Sequence, residues 1–255
     1  MKIGAQMFTI REFCKTPEDT IQSLEKLAEI GYRYVQYSGC GPMDPQLLRD
    51  TCDRLEIQIV ITHSPYDRII NDTEQLIREH DILGCDYIGL GSMPAYARKD
   101  RAGLEAFLSV IQAPAEKIRA AGKRFGYHNH AMEFRKMEGQ LIFDRILEKL
   151  PADMLGIILD TYWVQQGGAD IYQWIQKTAG RLTCVHLKDQ AVAEDGKTPL
   201  MAPVGEGNLN FPAIIPAFEQ AGAEYAFVEQ DQCYGEDPFT CLARSFQYLK
   251  SLGYC

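Results

Sequence analysis

The residues able to do chemistry concentrate in the second half of the chain. His128-Asn129-His130 is followed shortly by Glu133, Asp160 closes the apolar run Leu155–Leu159, His186 closes Leu182–Val185, and Glu229 closes Tyr225–Val228. A charged group at the end of an apolar strand is costly unless something pairs with it. Aspartate, glutamate and histidine converging on one place would repel or strand one another without a cation. This mixture of oxygen and nitrogen donors suits one divalent ion, Mn²⁺, Zn²⁺, Mg²⁺ or Fe²⁺. No cysteine stands among the donors, which argues against a structural zinc site.

Each residue also has an ordinary reading. Asp160 could cap a helix, His186 could be a hydrogen-bonded core histidine, and Glu229 could pair with Lys188. Their shared position at strand ends favours the metal. His128 and His130 lie two apart, so on a strand they point the same way, one as a ligand and the other as a proton shuttle. Glu133 lies beyond the strand, where a loop could fold it over the ion. Whether His128 or Glu133 joins Asp160, His186 and Glu229 as the remaining ligand stays open on residue types alone. His128, His130 and Glu229 are the candidate acid/base groups. Around them, His63 and Gln6 are expected to bind substrate hydroxyls and Lys188 to hold a developing enolate or a carboxylate. Trp163, beside Tyr162, is expected to supply an apolar wall for a sugar ring.

The elements that must position these residues alternate from end to end. Short runs rich in β-branched and aromatic residues predict buried strands at Ile3–Gln6, Tyr34–Tyr37, Ile57–Thr62, Tyr87–Gly91, Phe125–Asn129, Leu155–Leu159, Leu182–His186 and Tyr225–Glu229. Between them lie stretches with one apolar stripe, such as Ile21, Leu24, Leu27 and Ile30, closed by Gly31. Asp72-Thr73-Glu74 and Asn210-Phe211-Pro212 read as helix starts, and Pro114 should split the helix it interrupts. Strict βα alternation with this many strands in 255 residues predicts an α/β fold, a single (β/α)8 TIM barrel occupying residues 1–255 as one domain. Such barrels place their chemistry at the C-terminal strand ends, where all the candidates fall. The aperiodic segment 189–210 is expected to form a lid or a substrate contact.

Composition limits the partners. A net charge of −9 argues against nucleic acid. No apolar run approaches a membrane span, so no membrane partner is expected. Eight cysteines without CxxC spacing suit a reduced interior, and a cytoplasmic location is expected.

At these residues the sequence resembles the xylose-isomerase-like barrel superfamily, specifically its sugar phosphate isomerase/epimerase branch. The pieces that carry the resemblance are Tyr127-His128-Asn129-His130 with Glu133-Phe134, Leu159 to Trp163, Val185 to Asp189, Pro203 to Gly207, and Val228-Glu229-Gln230. The resemblance implies a metal-dependent isomerase or epimerase of a sugar or keto sugar, working by proton abstraction beside a carbonyl that the ion polarises. It carries three of the family's four ligands, usually Glu, Asp, His and Glu, onto Asp160, His186 and Glu229. The first glutamate has no clean counterpart, since the nearest position reads His128. A histidine-rich fifth strand resembles instead the inosose dehydratases and related lyases on 3-keto sugars, so β-elimination is the alternative reaction. A non-catalytic sugar-binding barrel is the alternative of a different class. An abasic-site endonuclease shares the fold but would need more histidines than the five present and a basic face. Dimers are common among such barrels, and a homodimer is expected on that ground alone.

Overall fold

The computed structural model describes residues 1–255. Eight parallel strands close into a barrel: β1 (Lys2–Gln6), β2 (Tyr34–Tyr37), β3 (Gln58–His63), β4 (Tyr87–Leu90), β5 (Arg124–His128), β6 (Gly156–Asp160), β7 (Leu182–Leu187) and β8 (Tyr225–Val228). They neighbour one another in chain order and β8 pairs with β1, with Gly4 opposite Phe227 and Ala5 opposite Val228. Every strand core matches the sequence expectation, with ends shifted by at most one residue. Closure needs a bare backbone at Gly4, where a Cβ would lie 2.5 Å from the Phe227 ring and 2.6 Å from the Tyr34 carbonyl oxygen.

The strand period of two explains how the chemistry reaches the mouth. Ile61, Ile158, Cys184 and Phe227 belong to a buried apolar cluster inside the barrel. Two residues further along the same strands stand His63, Asp160, His186 and Glu229, which therefore face inward one layer higher. The same step leads from Gly126 to His128, from Tyr34 to Gln36 and from Gly4 to Gln6. Apolar residues plug the floor, and a ring of polar side chains caps it. A larger core of 57 buried residues fills the space between the barrel and its helices.

Three local expectations are corrected. The split near Pro114 falls at Ile111, between helices Arg101–Val110 and Gln112–Ala120. Pro114 sits in the first turn of the second, where its missing N–H costs nothing. Asp72 precedes helix Thr73–Leu83, but its side chain makes no capping bond and instead accepts hydrogen bonds from Arg68. Residues 189–210 are not structureless: Asp189–Val192 pairs antiparallel with Pro199–Ala202. The Asp189 carboxylate then accepts backbone N–H bonds from Gly205, Gly207 and Leu209, drawing the Pro203–Gly207 turn against the barrel. No residue of 189–210 lines the cavity at the mouth.

Candidate metal centre and active site

Four strand ends bring His128, Asp160, His186 and Glu229 together with one ligating atom each, all within 4.8 Å of one another and all buried. Backbone and side-chain partners fix which nitrogen each imidazole offers. His128 Nδ1 lies 3.0 Å from the Gly91 carbonyl oxygen and donates to it, so the Nε2 lone pair faces Asp160 Oδ2 at 3.3 Å. His186 Nε2 donates to Gln36 Oε1 at 2.6 Å, and its Nδ1 turns toward Glu229 Oε2 at 2.9 Å. Glu229 is oriented by Gln6, whose Nε2 donates to Oε1 at 2.9 Å. Asp160 Oδ1 accepts the Trp163 N–H, capping the short helix Thr161–Gln166, which leaves Oδ2 for the cluster. The capping and metal readings of Asp160 therefore coexist, one on each oxygen.

His186 Nδ1 and Glu229 Oε2 lie buried side by side at 2.9 Å without a well-directed hydrogen bond, and Glu229 Oε2 is otherwise held by its ion pair with Lys188. Donor atoms converging on one point in this way are what a cation satisfies. The charges agree. Lys188 Nζ lies 2.8 Å from Glu229 Oε2, 3.2 Å from Asp160 Oδ2 and 3.0 Å from Asp231 Oδ1, setting one ammonium against three carboxylates. Burial disfavours the charged forms of Asp160 and Glu229, but Lys188 and the histidines outweigh it and hold both well below the usual carboxylate range. Burial also works against the Lys188 ammonium, and the surrounding carboxylates reverse that and raise its pKa. Lys188 is therefore a fixed positive charge, not a base. Burial, reinforced by His128, pushes His130 down to about 3. Burial and the neighbouring Glu229 push Asp231 up to about 6.

The structure separates His128 from Glu133. The Glu133 carboxylate turns away from the cluster: Oε1 accepts the Tyr127 hydroxyl and Oε2 accepts the His130 N–H at 2.7 Å. Both oxygens are used in holding the turn after β5, so Glu133 stands apart from the cluster expected to include it, and His128 is the strand-five residue that faces it. Burial, opposed by those hydrogen bonds, pushes the Glu133 carboxyl up to about 7.

Above the cluster opens a cavity of about 380 Å³ lined by Gln6, His63, His128, His130, Lys188 and Glu229 together with Ser38, Ser64, Ser92, Tyr66 and Asp231. Trp163 does not line it. The indole lies behind His130, 5.2 Å between ring centroids, and the Lys188 ammonium sits 5.2 Å over it. In this structure it packs against those two groups, where the sequence suggests a wall for the substrate. Tyr162 is likewise buried. His63 faces the mouth: Nδ1 is 3.3 Å from Ser38 Oγ, while Nε2 is buried and unpartnered, as is His130 Nδ1. Sequence reasoning missed Gln36 and Asp231. Gln36 had left a signal, a polar residue inside the apolar strand Tyr34–Tyr37; Asp231, beyond the end of β8, left none.

The chain belongs to the xylose isomerase-like TIM barrel family, whose model matches residues 24–252. A sugar phosphate isomerase/epimerase from Parabacteroides distasonis ATCC 8503 superposes with a TM-score of 0.79 at 21% identity, covering 98% of this chain and 93% of that one. An L-ribulose 3-epimerase gives 0.74 at 16% identity, covering 99% and 94%. The probable 3-DHS dehydratase AsbF of Bacillus anthracis gives 0.75 at 14% identity, covering 98% and 99%. At these identities the likeness is one of fold. No curated protein sequence matches the chain.

Proposed function

We propose that this barrel is a divalent-metal-dependent enzyme that moves a proton beside the carbonyl of a sugar or keto sugar, with isomerisation or epimerisation as the outcome. The observation that carries the reading is the buried convergence of His128 Nε2, Asp160 Oδ2, His186 Nδ1 and Glu229 Oε2 within 4.8 Å of one another. A divalent ion held there supplies Lewis acidity, polarising a ketone and its neighbouring hydroxyl and so acidifying the C–H between them.

The rest falls to side chains. With His128 turned into the ligand set, His130, whose ring lines the cavity, is the imidazole left to take the proton. Glu229 Oε1 is held by Gln6 at the same mouth and is the second proton carrier. As the C–H bond breaks, its electron pair moves onto the carbonyl oxygen, and the Lys188 ammonium stands where that charge is stabilised. Return of the proton to the opposite face gives the epimer; return to the adjacent carbon gives the isomer. His63 and Ser38 present a nitrogen and a hydroxyl to the substrate's hydroxyls.

One observation favours elimination as a second reading. An imidazole, His128, fills the position where a glutamate would complete a two-carboxylate acid/base pair, leaving one carboxylate of that pair. Loss of a β-substituent from the same enolate then competes with reprotonation.

The test pairs metal analysis with solvent exchange. The purified chain is expected to bind about one equivalent of Mn²⁺ or Zn²⁺, lost in Asp160→Asn, His186→Ala and Glu229→Gln. His130→Gln is expected to keep the metal and to lose deuterium exchange at carbons beside the ketone of a keto-sugar panel by at least ~100-fold. A protein that binds no added Mn²⁺ or Zn²⁺ sinks the reading. Metal binding without exchange on any keto sugar leaves a sugar-binding barrel instead.

A further inference from the structure

A second cavity of about 410 Å³ adjoins the mouth, under the loop 38–45 and against helices Pro45–Arg54 and Thr73–Leu83. The two cavities share Ser38, Gly39, His63, Ser64 and Pro65, so they meet across the His63 wall. Their chemistry differs. The mouth offers unpartnered nitrogens on His63 and His130. The annexe is walled by Tyr37, Met43, Leu48, Leu76 and Leu83, and apart from the shared His63 its charged and imidazole side chains are already engaged. Arg68 is bonded to Asp72 and Glu79. His80 bonds the Leu76 carbonyl at 2.7 Å and the Thr62 hydroxyl at 2.9 Å. Beyond the shared His63 a polar ligand finds its candidate partners already paired, whereas an apolar one gains contact with these walls and loses only water.

The mouth also lacks the means to hold a phosphate. Its single cationic side chain is Lys188, already shared among three carboxylates, and no arginine lines it. Resting on the proton-transfer reading above, we propose that the substrate is an uncharged sugar carrying an apolar substituent, such as an aryl ring or a short alkyl chain. The sugar occupies the mouth and the substituent passes beside His63 into the annexe.

The experiment compares methyl and phenyl β-glucopyranoside added to the Mg²⁺-supplemented protein carrying methyl-labelled leucine and methionine. Phenyl glucoside is expected to bind at least tenfold more tightly and to shift the methyl resonances of Met43, Leu48, Leu76 and Leu83, which methyl glucoside leaves in place. Met43→Trp, at the less buried rim of the annexe, is expected to erase the tenfold difference while methyl glucoside binding persists. Equal affinities, or unmoved annexe methyls with phenyl glucoside up to its solubility, overturn the proposal. Mn²⁺ titration of the same preparation separates the two readings: a chain that binds no metal but shows the phenyl-dependent shifts keeps the annexe and loses the proton transfer.

Discussion

Gln36 illustrates how a residue that binds nothing itself can set a site's properties. Its carbonyl oxygen holds the hydrogen of His186 on Nε2 and so keeps the Nδ1 lone pair on the cluster. Partners of this kind change metal affinity about 10–100-fold when removed. Gln36→Leu is expected to weaken Mn²⁺ binding by roughly that factor, with Gln36→Glu, which keeps an acceptor, closer to the native value; titration followed by electron paramagnetic resonance reads both. Equal affinity in the leucine variant would show that His186 needs no such hold. At this scale the sequence was informative where a polar residue ended an apolar run, as at Asp160, His186 and Glu229. It was silent on side-chain direction. Glu133 and Trp163 lie close in sequence to ligands, yet a turn after β5 and the start of a helix after β6 point them elsewhere.

At the scale of elements, the βα alternation was legible because each strand is buried on both faces and each helix on one. The hairpin Asp189–Val192 with Pro199–Ala202 was not, because its strands are short and their apolar spacing has no period to read. Helix Thr73–Leu83 is tied to β3 by His80, which bonds Thr62. Burial pushes His80 down to about 4 from an ordinary 6.5, so the folded chain holds it neutral while the unfolded chain protonates it. Its stabilisation is complete above the unfolded pKa and is lost as the pH falls toward the folded one, because the unfolded state then binds more protons. Between about pH 7 and about pH 5 the loss is on the order of 2 kcal/mol. His80→Gln is expected to flatten that part of the stability–pH curve in urea titrations. An unchanged slope would assign the acid sensitivity to the other buried histidines.

At the scale of the whole molecule, an ion bound at the cluster would be coupled to the fold. The four candidate ligands come from four adjacent strands, so the unfolded chain has no site to offer. A divalent ion at a hundredfold excess over its Kd adds about 2.7 kcal/mol, which for a chain of this size raises Tm by roughly 5–10 °C. Thermal melts with and without a chelator check this. A Tm indifferent to Mn²⁺, Zn²⁺ and Mg²⁺ would argue that Lys188 alone balances the carboxylates.

The hydrogen bond from Gln6 to Glu229 joins the first strand to the last. It crosses the seam at which the barrel closes, so a barrel open at that seam has its ligands but lacks the grip that aims one of them. Opening the barrel there would free the Glu229 carboxylate to turn, so this contact ties the aim of one candidate ligand to closure of the whole barrel.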